Sequence, residues 1–284
     1  MTVRPRSLEG KVPVVASSNG RRPDIRIVRA IRYVEPLREG GSVPAIVEAD
    51  DDGTYVLKFR GAGQGPRALV AELLAGEIGR ALGLPVPEIV FAELDPVLAR
   101  SEPDPEIQRL IAASGGLNLA IDYLPGSFGF DALDARIIPP DLASAIVWFD
   151  AYVTNVDRTP RNPNILLWHR RPWLIDHGAS LYFHYGWRDY RAKIASPFPQ
   201  IRDHVLLRRA SSLEDADARL RGLLDEPTLD SLVAAVPEEW LVTTRAEYPE
   251  PEEQRRVYLE YLVGRLAASS AFVAEAMRAR AELV

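Results

Sequence analysis

The stretch of sequence that decides the fold reads NVDRTPRNPNILL from Asn155 to Leu167, and it is followed by WLIDHG from Trp173 to Gly178. This pattern predicts a polar loop, a short apolar strand, a turn, a second apolar strand and an acidic turn. Because antiparallel strands joined by a tight turn return the chain to its start, a β-hairpin brings the two polar ends together. We therefore expect the loop and the acidic turn to share one site.

The loop and the turn carry the chemical groups that phosphoryl transfer requires. Asp157 and Asp176 supply carboxylates, and Asn162 and Asn164 supply amides. In such reactions one carboxylate orients or deprotonates the acceptor hydroxyl, while an amide and a second carboxylate hold magnesium against the phosphates. A stretch rich in Asp, Asn, Pro and Arg between apolar segments is also a common surface loop. Whether this loop is a catalytic site therefore depends on whether the rest of the chain supplies the other groups that phosphoryl transfer requires.

Composition and charge limit the classes of protein to consider. The 284 residues are enough for a large core and two lobes, and 47% hydrophobic with 26% charged residues is usual for a globular protein. The net charge of −6 argues against general nucleic-acid binding. The absence of cysteine excludes disulfides and thiolate metal sites. Without an apolar run of membrane-spanning length or a signal-peptide h-region, the expectation is a cytoplasmic protein that does not bind membranes.

The first part of the chain is predicted to be rich in strands. Residues 1–24 are basic and show little periodicity, and we interpret them as a flexible arm. Strand patterns follow at 25–33, 45–49, 55–60, 84–94 and 117–124. In the third of these, Lys58 lies on the face opposite Tyr55, Leu57 and Phe59. A lysine at this place either faces solvent or is held under the phosphates of a nucleotide.

One strong helix is predicted among these strands, from Pro66 to about Leu82. Proline suits the first helical position, apolar residues recur at helical spacing, and Gly83 is a natural end. Glu72 lies next to the buried stripe of this helix. It either faces Lys58 across the packing or is solvated.

The second part of the chain is predicted to be mainly helical. A change of direction at Pro125-Gly126-Ser127 is a candidate linker, and helical patterns follow at 141–153, 213–235 and 252–283. The expected architecture is therefore an α+β fold in two lobes, a strand-rich, nucleotide-binding lobe at 25–124 and a mainly helical lobe at 125–284 that carries the loop. Ligand sites favour the cleft between such lobes.

This ordered set of motifs resembles the HipA-like kinases and their bilobal protein-kinase-like fold. The motifs that carry the similarity are NVDR at 155–158, NPNIL at 162–166, LIDHG at 174–178 and ALGLPVPE at 81–88. The similarity covers roughly residues 25 to 270. It implies an ATP- and Mg²⁺-dependent phosphotransferase that acts on a hydroxyl group, with a Ser or Thr of a protein substrate as the acceptor.

The same resemblance implies a role for individual side chains in catalysis. Lys58 would hold the α- and β-phosphates of ATP, and Glu72 would pair with it. Asp157 would act on the acceptor hydroxyl, in a reaction that depends mostly on positioning and charge stabilisation.

Metal and nucleotide contacts are implied in the same way. By the spacing of the family, Asn162 and Asp176 would bind Mg²⁺, and Asn164 is a second choice for the amide ligand. Backbone groups of a strand would face adenine, and a Gly-rich turn would meet the phosphates through its N–H groups. The residues concerned are Ile121, Asp122 and Tyr123 in the strand, and Gly40, Gly41 and Ser42 in the turn.

Two alternatives stay open at the level of the sequence. Small-molecule kinases of the aminoglycoside and choline type share a similar loop, strand and Asp layout, and the acidic net charge suits a cationic substrate. A nucleotide-binding pseudokinase that serves as an interaction module has the same motifs without phosphoryl transfer.

Overall fold

Five strands close into a barrel in the computed structural model, which describes residues 23, 25–37, 43–187, 189–242, 248 and 250–284. They are β1 (Ile27–Pro36), β2 (Ala45–Ala49), β3 (Thr54–Lys58), β4 (Ile89–Leu94) and β5 (Gly116–Asp122). Their order is β1-β2-β3-β5-β4, and β4 returns to β1 in parallel, whereas the other neighbours are antiparallel. The expected turn at Asp-Gly joins β2 to β3, with the N–H of Ala49 donating to the carbonyl of Gly53 at 2.9 Å.

Successive side chains of β3 point alternately into the barrel and to the face that carries Lys58. Tyr55 and Leu57 are buried in the barrel core, whereas Val56 and Lys58 lie on the other face and are only partly buried. This is the two-residue period that the sequence predicts for this strand. It directs the Lys58 side chain out of the barrel and towards the following helix.

Two helices accompany the barrel, α1 (Pro66–Ala81) and α2 (Pro105–Ala113). As predicted, α1 has proline at its start and ends just before Gly83, which has a positive φ of 73°. Gly76 lets α1 approach β4 closely, because a Cβ atom there would lie 2.4 Å from Cδ1 of Ile89. The helix is thereby packed tightly against the barrel strand beside it.

The predicted hairpin is present as β7 (Ile165–Trp168) and β8 (Arg171–Leu174), and β6 (Phe128–Gly129) extends it to three strands. The two residues of its turn, 169 and 170, both have a positive φ, which is typical of tight hairpin turns. Pairing of Ile165 with Leu174 aligns the two polar ends. Beyond the strands, the N–H of Ile175 donates to the carbonyl of Asn164 at 3.1 Å.

The remaining described elements are mainly helical. They are α3 (Pro140–Tyr152), α4 (Tyr190–Ile194), α5 (Leu213–Leu220), α6 (Glu226–Ala234), α7 (Glu238–Leu241), α8 (Pro251–Ala267) and α9 (Ser269–Ala281). The long helices predicted at 213–235 and 252–283 are each divided in two. Gly222 and Pro227 account for the first break, because both disfavour a helix interior.

The architecture is an α+β fold with strands concentrated before residue 125 and helices after it. One apolar core runs from α1 through α3 to α9, and a second fills the barrel. Among the described residues, no helix has the length and apolar character needed to cross a membrane.

Candidate functional site

Three charged side chains meet where α1, the end of β3 and the turn after β8 come together. The ammonium of Lys58 lies 2.7 Å from Oε2 of Glu72 and 2.6 Å from Oδ1 of Asp176. Glu72 is fully buried, and 45% of the Asp176 side chain is exposed. One cation therefore bridges a buried carboxylate that anchors it and an accessible carboxylate that can meet a ligand.

The carboxylates that flank Lys58 have different electrostatic environments. Burial raises the pKa of Glu72, although Lys58 and the backbone N–H of His177 oppose the shift. The pKa of Asp176 is lowered, chiefly by the charge of Lys58. Asp176 is therefore the member of the pair that is kept ionised and open to a cation.

The polar loop presents Asp157 beside the same turn. Asn162 donates from Nδ2 to Oδ2 of Asp157 at 2.7 Å, and the amide of Asn164 also hydrogen-bonds to this carboxylate. Partial burial, followed by the nearby charge of Asp176, raises the pKa of Asp157. A carboxylate with a raised pKa is a stronger proton acceptor.

The two candidate amide ligands differ in their surroundings. Asn162 is exposed, and its side-chain amide donates to Asp157. Asn164 is buried, has a positive φ of 49°, and directs Nδ2 to the backbone carbonyl of Asp176 at 3.5 Å. The structure thus brings Asp157, both amides and Asp176 to one place.

The predicted adenine contacts lie at the end of β5 and just after it. The N–H of Asp122 already donates to the carbonyl of Glu88 at 2.9 Å, and that of Tyr123 donates to Thr54 at 3.0 Å. Ile121 pairs with residues on both sides, because β5 lies between β3 and β4 in the barrel wall. The N–H groups of Asp122 and Tyr123 are therefore used within the fold, and the contact of this stretch with adenine through its backbone groups stays a prediction. The other predicted nucleotide contacts, Gly40, Gly41 and Ser42, lie outside the described residues.

A buried cluster that the sequence analysis missed lies under the loop. The Asp150 carboxylate is fully buried in α3 and accepts from Nδ2 of Asn155 at 2.9 Å. Nε2 of His204 lies 2.9 Å from the same carboxylate, and Nδ1 of that ring accepts the N–H of Leu206 at 3.0 Å. The one available signal was a carboxylate among apolar residues near the end of this helix, since buried carboxylates need partners.

His177, next to Asp176, is an interior residue. Its ring is 1% exposed and meets Phe149 edge-to-face at 5.6 Å between centroids. Burial lowers its pKa to about 3, so the ring is neutral. The arrangement gives His177 a packing role, whereas the neighbouring Asp176 side chain is 45% exposed.

The donor set fits a hard divalent cation that arrives with a nucleotide. Among the described residues, no group of three or more His, Asp or Glu side chains forms a protein-only metal cage. Mg²⁺, however, is commonly held by one or two carboxylates together with phosphate oxygens and water. The side chains of Asp176, Asn162 and Asn164 supply only oxygen ligands of that kind.

Two solved kinase structures are similar to this chain, and the first of them supports a kinase fold. The kinase CtkA, a proinflammatory kinase of Helicobacter pylori, matches with a TM-score of 0.51 and 15% identity, over 89% of this chain and 98% of that chain. The Golgi casein kinase with Mn/ADP bound matches with a TM-score of 0.45 and 13% identity, over 90% of this chain and 74% of that chain. No curated protein matches the sequence.

The fold and the family together define the class of the protein, a protein-kinase-like phosphotransferase. The model of the HipA-like kinase family matches residues 30–266, so the chain belongs to the HipA-like kinases.

Proposed function

We propose that this protein is an ATP- and Mg²⁺-dependent kinase that phosphorylates a Ser or Thr hydroxyl of a protein substrate. The observation that carries the proposal is the position of Lys58, within 2.7 Å of both Glu72 and Asp176. It lies beside a loop that holds the carboxylate of Asp157. Phosphoryl transfer requires this combination of a phosphate-binding cation, a metal-binding carboxylate and a carboxylate for the acceptor.

Asp157 is the residue that orients the acceptor hydroxyl and takes up its proton. Two observations support this role, the raised pKa of the carboxyl group and the hydrogen bond from Asn162 that fixes one of its oxygens. Asp157 is only partly buried, so its carboxylate is accessible to an acceptor hydroxyl. Catalysis by such a group is largely a matter of geometry, since a well-oriented reactant loses much less entropy on reaching the transition state.

Lys58 holds the α- and β-phosphates of ATP, and Glu72 keeps its ammonium group in place. Asp176 and Asn162 are the proposed metal ligands, with Asn164 as the second choice for the amide. Magnesium, when bound with the nucleotide, neutralises charge on the phosphates. In this proposal the strand-rich lobe, 25–124, binds the nucleotide with 121–123 beside adenine and 40–42 near the phosphates. The helical lobe, 125–284, supplies the catalytic loop.

The decisive experiment is transfer of labelled γ-phosphate from magnesium ATP by purified protein, with and without added cell lysate. Asp157→Ala is the test variant, and Asp203→Ala, at an exposed carboxylate elsewhere, is the matched control. We expect label on Ser or Thr of protein with the wild type and the control, and none with Asp157→Ala. Calorimetry should show that Asp157→Ala still binds ATP. Transfer retained by Asp157→Ala would overturn the assignment of this residue.

Other results of the same assay would redirect the proposal. Transfer only to small hydroxylated cations would identify a small-molecule kinase. ATP binding without transfer to any acceptor would identify a nucleotide-binding module. Absence of ATP binding would contradict the proposed site as a whole.

A further inference from the structure

We infer that Arg158 is a positioning residue that sets the distance between Asp157 and the two polar residues Asn164 and Asp176. The consequence for catalysis rests on the proposed function. The structural part rests on one buried guanidinium that joins the catalytic loop, the turn after β8 and helix α3.

The guanidinium of Arg158 makes contacts in three directions. Nη1 donates to the carbonyl of Asn164 and lies 3.5 Å from that of Ile175. Nη2 lies 3.2 Å from Nδ1 of His177, and Nε donates to Oδ2 of Asp150 at 2.6 Å. Arg158 is 1% exposed. Its planar fork of donors is suited to several acceptors at fixed angles, and the single ammonium of a lysine is not.

The backbone held by these contacts is in an uncommon conformation. Asn164 and Asp176 have φ angles of 49° and 56°, in the left-handed region. For residues with a Cβ atom this region costs about 1–2 kcal/mol each, and it persists where surrounding contacts impose it. Arg158 binds the peptide group after Asn164 and the one before Asp176. It therefore holds both residues at the peptide bonds that flank the strained torsions.

Asp150 fixes the other side of the guanidinium. Burial alone would raise the pKa of this carboxyl group, but the charge of Arg158 and the hydrogen bond with His204 outweigh it and hold the pKa below its usual range. Because Nδ1 of His204 accepts a backbone N–H, the neutral ring carries its proton on Nε2 and donates to Asp150. The Asp150 carboxylate is thus held in a fixed position on α3, and it fixes the guanidinium of Arg158 in turn.

The chain position of Arg158 explains how this affects catalysis. Arg158 follows Asp157 directly, so its fixed backbone limits where the neighbouring carboxylate can point. The carbonyl of Arg158 also accepts the N–H of Val205 at 3.1 Å. Groups that support metal ligands from behind typically change metal affinity or activity by about 10- to 100-fold when mutated.

The test compares Arg158→Lys with wild type and with Arg265→Lys. Arg265 is a second buried arginine that donates to backbone carbonyls, at the end of α3, so its variant controls for loss of a buried guanidinium. Arg158→Gln is a second test variant, because its amide keeps a donor for the Asn164 carbonyl without the charge. The readouts are hydrogen–deuterium exchange over 155–178, the Mg²⁺ dependence of ATP binding, and turnover.

We expect exchange in Arg158→Lys and Arg158→Gln to speed up more at 162–166 and 174–178 than in the rest of the chain, whereas in Arg265→Lys these two stretches should speed up no more than the rest of the chain. We also expect about a 10- to 100-fold higher Mg²⁺ requirement or lower kcat in the Arg158 variants alone. Unchanged exchange, or equally fast exchange in Arg265→Lys, would overturn the inference. If the wild type neither binds ATP nor transfers phosphate, the proposed function fails, while the exchange comparison still decides the role of Arg158.

Discussion

The Nζ atom of Lys58 lies 2.7 Å from Oε2 of Glu72, which joins the end of β3 to the second turn of α1. Glu72 is fully buried, and only 11% of the Lys58 side chain is exposed. Breaking such a pair from one side is costly, because the remaining charge stays in a poorly solvated place. Lys58 has a second carboxylate partner in Asp176, whereas Lys58 is the one cation that pairs with Glu72 among the described residues.

This asymmetry predicts different stabilities for the two single variants. Lys58→Met leaves the buried carboxylate of Glu72 without a cation and should lower the free energy of unfolding by about 3–5 kcal/mol. Glu72→Gln leaves Lys58 paired with Asp176 and should cost less. The double variant, Lys58→Met with Glu72→Gln, has no unpaired carboxylate at position 72. We therefore expect it to be more stable than Lys58→Met alone. Urea unfolding measures all three, and equal losses for the two single variants would contradict the prediction.

The choice between the two amide ligands can be tested by the Mg²⁺ dependence of ATP binding. We expect Asn162→Ala to raise the Mg²⁺ concentration needed for half-maximal binding by about 10-fold, as loss of a ligand or of a group that orients one typically does. Asn164→Gly is the matched variant, because glycine removes the amide and adopts the positive φ without strain. Calorimetry at several Mg²⁺ concentrations should show the smaller shift for Asn164→Gly. The reverse order would assign the ligand to Asn164.

Local sequence patterns were sufficient for the parts of the site that lie on regular elements. The alternation of β3 placed Lys58 on the face opposite Tyr55 and Leu57, and the helical stripe of α1 placed Glu72 next to its buried side, with their pairing as one of two readings. The hairpin follows from two apolar strands and a short turn. In each case a period of two or 3.6 residues sets the direction of the side chain, so the sequence contains the information directly.

Contacts between distant segments could not be predicted in the same way. Asp150 and His204 lie 54 positions apart and meet only because the chain after residue 180 packs back under the loop. No local pattern around His204 marks it as a partner of Asp150. The pattern at 117–124 also predicted a strand. Its position between β3 and β4 depends on pairing with both of these strands. At that position the N–H groups of Asp122 and Tyr123 are bonded within the fold.

Arg265 stabilises the ends of two helices from a fully buried position. Its guanidinium donates to the carbonyls of Ala151 and Tyr152, at the end of α3, and to those of Ile194 and Ser196, at and after the end of α4. Carbonyls at helix ends lack intrahelical donors and carry partial negative charge, which favours a cation there.

We expect Arg265→Lys to lower the free energy of unfolding by about 2–4 kcal/mol, because an ammonium cannot reach all of these carbonyls and each buried acceptor left unpaired is costly. Arg256→Lys on the same helix is the matched control. Its side chain is 71% exposed, so the change should stay within about 0.5 kcal/mol. Denaturant unfolding would argue against the capping role if both variants lost the same stability.

The pH dependence of stability should show the burial of His184. The ring is fully buried, and its Nδ1 lies 2.9 Å from the hydroxyl of Tyr258. Burial, with a smaller effect from Arg67, lowers the pKa of His184 to about 3. The unfolded chain, with a histidine pKa near its ordinary value of about 6.5, therefore binds a proton that the folded protein excludes. The sign follows from this difference: the stabilising effect is complete above about pH 6.5 and is lost as the pH falls towards 3.

His184→Gln separates this contribution from the other titrating groups. The glutamine amide can still accept the Tyr258 hydroxyl, but it does not titrate. With about 1.4 kcal/mol per pKa unit, the wild type should lose about 2 kcal/mol more stability than His184→Gln between pH 7.5 and pH 5. The buried His177 is present in both proteins and cancels in the comparison. Urea unfolding at several pH values measures the difference, and parallel stability curves for the two proteins would mean that His184 takes up its proton without leaving the folded core.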